Sequence, residues 1–339
     1  MTERIVILPP NWLGDAVMAL PAIRDVRRHF SGAQLVVAAR PSVSALFRAV
    51  PGVDDLLTLQ AKASTQALGA DIGILLPNSF RSAWLLKIAG VKERWGYRSD
   101  FRGLLLTKSV KRPRRKLHFG EYYQHLVREL GIETGPLTVE LTVPPGKIQA
   151  AAALLQARGW TPGQTLVGLA PGAAFGHAKR WPAERFASVA DALTGELGAT
   201  CVLLGRDDDR DAGSRLEAAI RPDAGGRLIN LIGQTDLLML MGLLSLCRAL
   251  VANDSGAGHL AAAIGIPVTA IYGPTDERYS LPLTPSVAGR DRVRALFHPV
   301  FCRPCGLSDC PIDHRCMKKI PPEQVFESVR QQLQTGVRA

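Results

Sequence analysis

The sequence predicts an α/β protein made of two successive Rossmann-like domains, each a doubly wound parallel sheet. Three observations carry this expectation. Short apolar runs alternate with helical patterns nearly throughout, the runs are apolar at consecutive positions, and a Pro/Gly-rich seam divides the chain. Strands buried on both faces and separated by helices imply parallel sheets covered on each side. A chain of 339 residues is also long for one core.

Strands are expected at 4–8, 34–39, 71–76, 165–170, 200–204, 228–232, 249–252 and 267–272. Helices are expected at 16–30, 79–90, 119–130, 182–197, 208–220, 236–247 and 257–264. In 182–197, for instance, Phe186, Val189, Ala190, Leu193 and Leu197 share one helical face, with Pro182 in the first turn. The seam, PPGKIQAAAALLQARGWTPGQ at 144–164, holds one Ala-rich helix between Pro-Pro-Gly and Pro-Gly. It sets the expected domains at 1–155 and 156–339, with a last helix near 322–334 returning toward the first domain.

Composition narrows the class. Hydrophobic residues make up 47% and charged residues 21%, which describes a packed globular protein. The net charge of +11 points to an anionic partner: nucleic acid, a phosphorylated small molecule or an anionic membrane surface. No secretory signal opens the chain. The most apolar stretch, Leu237 to Cys247, falls short of the roughly 20 residues that span a bilayer. A cytoplasmic protein with mostly reduced thiols is expected.

Open α/β sheets bind ligands outside the carboxyl ends of their strands, so the loops after strands carry the functional information. The first is PPNWLGDAVMALPAI, Pro9 to Ile23, where Asn11, Trp12, Gly14 and Asp15 are expected in a tight loop before a helix starting at Ala16. Asp15 there either caps the helix or acts on a ligand. The second is LAPGAAFGHAKRWP, 169–182, and the third LLGRDDDRD, 203–211. The fourth is VANDSGAGHLAAAIGIP, 251–267, where small residues open a helix whose N–H groups and dipole suit a phosphate. There is no GxxxxGK[ST], no GxGxxG after a strand and no GxSxG. Ordinary turns and caps explain any one loop alone; four together in this fold point to a binding site.

The set PNWLGDAVMALPAI, LPNSFRSAWLLKIAGVKERWGYR (76–98), PGAAFGHAKRWP (171–182) and NDSGAGHLAAAIGIPVTAIYGPT (253–275) resembles the ADP-heptose:lipopolysaccharide heptosyltransferases. The resemblance spans most of the chain and implies the GT-B architecture, two Rossmann-like domains facing across a cleft. It implies inverting transfer of L-glycero-D-manno-heptose from ADP-heptose to a phosphorylated lipid A-core acceptor that already carries Kdo and one heptose. Branches of the family acting on other core acceptors are the alternative; PNSFRSA and KRWP favour the first. Chemistry of this kind needs a base for the acceptor hydroxyl and charge stabilisation for the leaving diphosphate.

By the same resemblance Asp15 is the base and Lys179 neutralises the leaving group. Gly172, Ala173, Lys179, Arg180, Asp254, Ser255, Gly256, Ala257, Gly258 and His259 would hold the donor. Asp254, a carboxylate beside phosphates, suits sugar hydroxyls or loop orientation better than the diphosphate. Gly14, Asn78, Ser79, Arg81 and Arg98 are acceptor candidates. Asp207, Asp208 and Asp209 either meet the ribose or form an acid-rich helix start. No cofactor is required for the chemistry.

Two segments stand outside this set. KSVKRPRRK, 108–116, has six Lys or Arg in nine residues and reads as a solvated loop, a nucleic-acid contact or a contact for lipid phosphates at the inner-membrane surface. No aromatic residue interrupts it to stack on bases, which disfavours nucleic acid. HPVFCRPCGLSDCPIDHRCM, 298–317, holds Cys302, Cys305, Cys310 and Cys316, either a structural zinc site or a reduced, redox-labile cluster.

Overall fold

The computed structural model describes residues 3–60, 68–221 and 227–335. The chain divides into two compact units, Met1–Thr142 and Val143–Ala339.

In the first unit the elements run β1 (Arg4–Leu8), α1 (Leu13–Met18), α2 (Leu20–His29), β2 (Gln34–Ala39), α3 (Pro41–Ser44), β3 (Asp55–Thr58), β4 (Ile72–Leu75), α4 (Phe80–Ile88), β5 (Glu93–Tyr97), β6 (Lys108–Val110) and α5 (Phe119–Glu129). The second unit has α6 (Pro145–Gln156), β7 (Leu166–Ala170), α7 (Ala183–Leu197), β8 (Thr200–Leu203), α8 (Arg210–Ala219), β9 (Leu228–Asn230), α9 (Leu237–Leu246) and β10 (Ala249–Asn253). It continues with α10 (Gly256–Ile264), β11 (Val268–Tyr272), α11 (Glu277–Ser280), β12 (Val293–Phe297), α12 (Arg315–Lys318) and α13 (Pro322–Thr335).

Each unit is one six-stranded sheet, ordered β3-β2-β1-β4-β5-β6 in the first and β12-β11-β10-β7-β8-β9 in the second. Every strand pairing is parallel. The eight expected strands are all present. The four others, β3, β5, β6 and β12, carry charged residues: β3, β6 and β12 lie at sheet edges, and β5 is one strand in from an edge with Glu93 exposed and Arg94 half-buried. The start of the basic run is therefore not loop: Lys108–Val110 is the edge strand beside β5.

α6 packs on α9 with Ala151 and Leu155 buried, so the helix of the seam belongs to the second unit. α13 also packs within that unit, where Val325 and Val329 join the core around Trp181 and Phe186. Its buried Gln332 and Ser328 hydrogen-bond Thr269 in the middle of β11, at 3.0 and 2.8 Å.

The first unit is braced by a buried carboxylate. Asp25 of α2 accepts from Gln124 Nε2 of α5 at 2.7 Å, from the Gly135 N–H at 3.0 Å and from Arg28 at 3.1 Å. Truncating it leaves the Gly135 N–H without its acceptor and Gln124 Nε2 with only the Gly135 carbonyl. Asp25→Ala should lower the unfolding free energy by about 3 kcal/mol. In urea titrations this appears as a lower midpoint with an unchanged slope; an unchanged midpoint would remove Asp25 from the frame.

Candidate active site

In both sheets the chain reverses its direction of winding between two central strands, β1 and β4 in the first unit and β7 and β10 in the second. Loops leaving such a pair run to opposite sides and open a crevice at the carboxyl edge. The first unit places Asp15 after β1 and Asn78–Ser79 after β4. In the second unit, 171–182 follow β7 and 254–259 follow β10.

In the second unit one buried amide organises both loops. Asn253, the last residue of β10, is fully buried. Its Nδ2 donates to the Pro171 carbonyl at 2.7 Å and its Oδ1 accepts the Trp181 N–H at 3.1 Å. The next residue, Asp254, takes Lys179 Nζ at 2.7 Å and the Thr275 hydroxyl at 2.7 Å on Oδ2. His259 Nε2 stands 3.9 Å from its other oxygen. Lys179 and Asp254 are both largely buried, with side chains 16% and 5% exposed. α10 starts at Gly256, so the N–H groups of Gly256, Ala257 and Gly258 form its first turn and lack intrahelical acceptors. Ser255 precedes them, but its hydroxyl makes no cap bond. Ser255 Oγ and Arg180 Nε are buried polar atoms with no hydrogen-bond partner among the described residues, an incomplete polar site of the kind a ligand finishes.

The loop after β7 is held from two sides. Asp209 accepts the Arg206 N–H at 3.0 Å and lies 3.4 Å from the Arg180 guanidinium. A Cβ at Gly172 would sit 2.2 Å from the Asp209 carboxylate, so only glycine passes there. On the other side the cysteine-bearing segment acts as a strap. The Ser308 carbonyl accepts the Ala178 N–H at 2.9 Å, and His314 Nε2 meets the Ala178 carbonyl at 2.6 Å. Gly176, at φ +73°, would drive a Cβ into the Ser308 carbonyl, 2.1 Å away. The strap thus pins the residue before Lys179.

In the first unit Asp15 is in the first turn of α1, half-buried, and Trp12 occupies the cap position. Burial, first, and the charge of Asp15, second, push the Tyr123 phenol of α5 well above its ordinary value. Asn78 Nδ2 and Arg112 Nε share the Tyr122 hydroxyl at 2.9 and 3.2 Å. Asn78 Oδ1 is buried without a partner among the described residues.

Several sequence expectations change. Gly14 and Asp15 lie inside the helix rather than in a loop before it, because α1 begins at Leu13 and a break at Ala19 separates it from α2. Ser79 is the cap of α4, accepting the Ser82 N–H at 3.3 Å, while Arg81 and Arg98 are exposed. Ala173 is buried. The three acids of the third loop all have arginine partners: Asp207 with Arg210, Asp208 with Arg206, Asp209 with Arg180. Among the described residues no group of three or more His, Cys, Asp and Glu side chains is arranged to hold a metal ion. Cys305 and Cys310 are exposed, whereas Cys316 is buried in α12. Asn253 and Thr275 escaped the sequence reading; a polar residue ending an otherwise apolar strand, LVAN, was the available signal.

Two Rossmann-like units with charged loops at their switch points define the frame of a GT-B glycosyltransferase. The model of glycosyltransferase family 9 (heptosyltransferase) matches residues 61–292, and the chain belongs to that family. It is 30% identical over 301 residues to the lipooligosaccharide heptosyltransferase 2 of Haemophilus ducreyi, covering 83% of this chain and 86% of the relative. The lipopolysaccharide heptosyltransferase 1 of Pseudomonas aeruginosa is more distant, 22% identical over 331 residues, 91% of this chain and 87% of the relative. Among solved structures, the E. coli ADP-heptose lps heptosyltransferase II superposes with a TM-score of 0.84 at 28% identity, over 98% of this chain and 99% of that one.

Gly172→Ala tests the packing of the loop after β7 against Asp209. The added methyl must displace a carboxylate held on two sides, at a cost of about 2–3 kcal/mol. Thermal unfolding should show a lowered Tm for Gly172→Ala, partly recovered when Asp209→Gly is added. No recovery in the double variant would mean that the clash lies elsewhere.

Proposed function

We propose that this glycosyltransferase moves L-glycero-D-manno-heptose from ADP-heptose to heptosyl-Kdo2-lipid A, the reaction of a heptosyltransferase II. The observation that carries the reading is the polar cluster at the second unit's switch point: Lys179 held on Asp254, beside the first turn of α10 and the unpaired Arg180 Nε and Ser255 Oγ. A cation, a helix start and unsatisfied donors in one place suit a nucleoside diphosphate. The higher similarity to heptosyltransferases 2 than to a heptosyltransferase 1 supports the acceptor.

Lys179 neutralises the charge that develops on the leaving ADP. Asp254 orients Lys179 and accepts from heptose hydroxyls, so the carboxylate meets the sugar and the cation meets the phosphates. Gly256, Ala257 and Gly258 offer backbone N–H groups to the diphosphate, with Gly172, Ala173 and His259 shaping its surroundings. Asp15 takes the proton from the acceptor hydroxyl as that oxygen attacks the anomeric carbon opposite ADP. Asn78, with its unpaired Oδ1, Gly14, Ser79, Arg81 and Arg98 serve the acceptor. No cofactor enters these steps. Because the acceptor is a lipid, the enzyme works at the cytoplasmic face of the inner membrane. Among the described residues no helix is long and apolar enough to cross a membrane, so attachment is peripheral, through the basic run.

Transfer assays with ADP-heptose and heptosyl-Kdo2-lipid A test this directly. Asp15→Ala should lower kcat by about 10²–10⁴-fold with the donor KM nearly unchanged. Full activity in that variant would exclude Asp15 as the base. Wild-type transfer to Kdo2-lipid A in place of the heptosylated acceptor would move the assignment to a heptosyltransferase I.

A further inference from the structure

The first unit exposes apolar side chains that a soluble surface ordinarily covers. α4 is apolar on both sides: Ala83 and Leu86 are buried, while Phe80, Trp84 and Ile88, one turn apart, are exposed. The Phe80 and Trp84 rings stack at 6.3 Å. The neighbouring loop after β5 adds Phe101 and Leu104, 96% and 97% exposed.

This loop is held in place. Asp100 and Phe101 both adopt left-handed backbone, at φ 49° and 54°, which side chains with a Cβ resist. Four contacts impose it. Asp100 Oδ2 accepts the Phe80 N–H at 2.7 Å and the Ser99 hydroxyl donates to the Asn78 carbonyl at 2.9 Å. Fully buried Arg102 donates to the Tyr97 carbonyl at 2.8 Å and to Ser82 Oγ at 3.1 Å. With Arg102 plugged inward, Phe101 and Leu104 are turned out on either side of it. Strain maintained at a loop tip that exposes two large apolar groups argues for a use.

Charge surrounds the patch. The Arg98 side chain lies against Gly103, and the Arg98 N–H donates to the Val110 carbonyl at 2.6 Å, which joins this loop to the basic run. Lys108, Lys111, Arg112, Arg114, Arg115 and Lys116 are all exposed. Lys87 lies 5.9 Å above the Trp84 ring. The tip and the run both follow the carboxyl ends of strands in one parallel sheet, the edge that also carries Asp15 and Asn78.

We propose that this edge of the first unit docks on an anionic phospholipid surface, with Phe101, Leu104, Phe80 and Trp84 entering the interface and the basic run meeting the headgroups. Apolar and aromatic tips flanked by lysine and arginine suit a bilayer boundary. A second copy would bring one cationic run against another, and a nucleic acid would leave Leu104 and Ile88 without a partner. The inference rests on the proposed function in one respect: the same edge receives a lipid-linked acceptor.

Vesicle co-sedimentation of the full chain tests it without any sugar lipid, so a failure of heptose transfer and a failure of membrane docking are read separately. Wild type should partition onto phosphatidylcholine vesicles containing phosphatidylglycerol, weakly onto pure phosphatidylcholine, and less as salt rises. Phe101→Ser/Leu104→Ser should weaken partitioning by at least about tenfold. Lys111→Gln/Arg114→Gln should cost roughly fivefold per charge. Circular dichroism and Tm identical to wild type would attribute both losses to the surface. Unchanged partitioning of the Phe101→Ser/Leu104→Ser variant would overturn the proposal. So would a lipid-free dimer of wild type that this variant turns into monomer, since the patch would then be a subunit interface.

Discussion

The polar cluster at the switch point of the second unit depends on one ion pair, Lys179 with Asp254, and on the buried amide that places it. Neither charge would stay put on an isolated loop. Asn253 fixes the backbone at Pro171 and Trp181, the residues that bracket the lysine loop, and the carboxylate then follows directly on β10. Asp209 and the Ser308–His314 strap close the remaining freedom at Gly172 and Ala178. A pair this buried gains little net stability, because desolvation offsets the attraction, but losing one partner costs about 3–5 kcal/mol. Its value lies in orientation. In the proposed reaction, a cation already desolvated and aimed needs no rearrangement when charge builds on the leaving diphosphate.

The strap gives the cysteine-bearing segment a mechanical explanation. Its backbone carbonyl at Ser308 and the ring of His314, itself at φ 61°, grip both polar atoms of Ala178. Cys201 and Cys247 are different in kind: burial pushes their thiols up to about 12, and they serve as small core residues.

Much of the frame was legible because parallel strands such as Ile5–Leu8 and Val268–Thr269-Ala270-Ile271-Tyr272 must be apolar on both faces. The edge strand β6 and its neighbour β5 escape that logic. Glu93-Arg94-Trp95-Gly96-Tyr97 and Lys108-Ser109-Val110 are half in solvent, so their charges mask them. At the site, the loops were readable from glycine, charge and position after strands. The pairing of Lys179 with Asp254 was not, since 75 residues separate them and only the β7–β10 adjacency brings them together. Asp15 illustrates the same limit. Sequence offered a cap or a base; the structure puts Trp12 at the cap position and Asp15 in the first turn of α1.

A double-mutant cycle on ADP-heptose turnover measures how far Lys179 depends on Asp254. Lys179→Met and Asp254→Asn are each compared with wild type and with the double variant, through kcat/KM for the donor. If Asp254 orients Lys179, the double variant should lose less than the product of the two single losses, a coupling well above the few tenths of a kcal/mol expected of independent sites, with any loss beyond Lys179→Met reporting the carboxylate's contact with the sugar. Losses that multiply would show two groups working separately and would rule out Asp254 as the residue that orients Lys179.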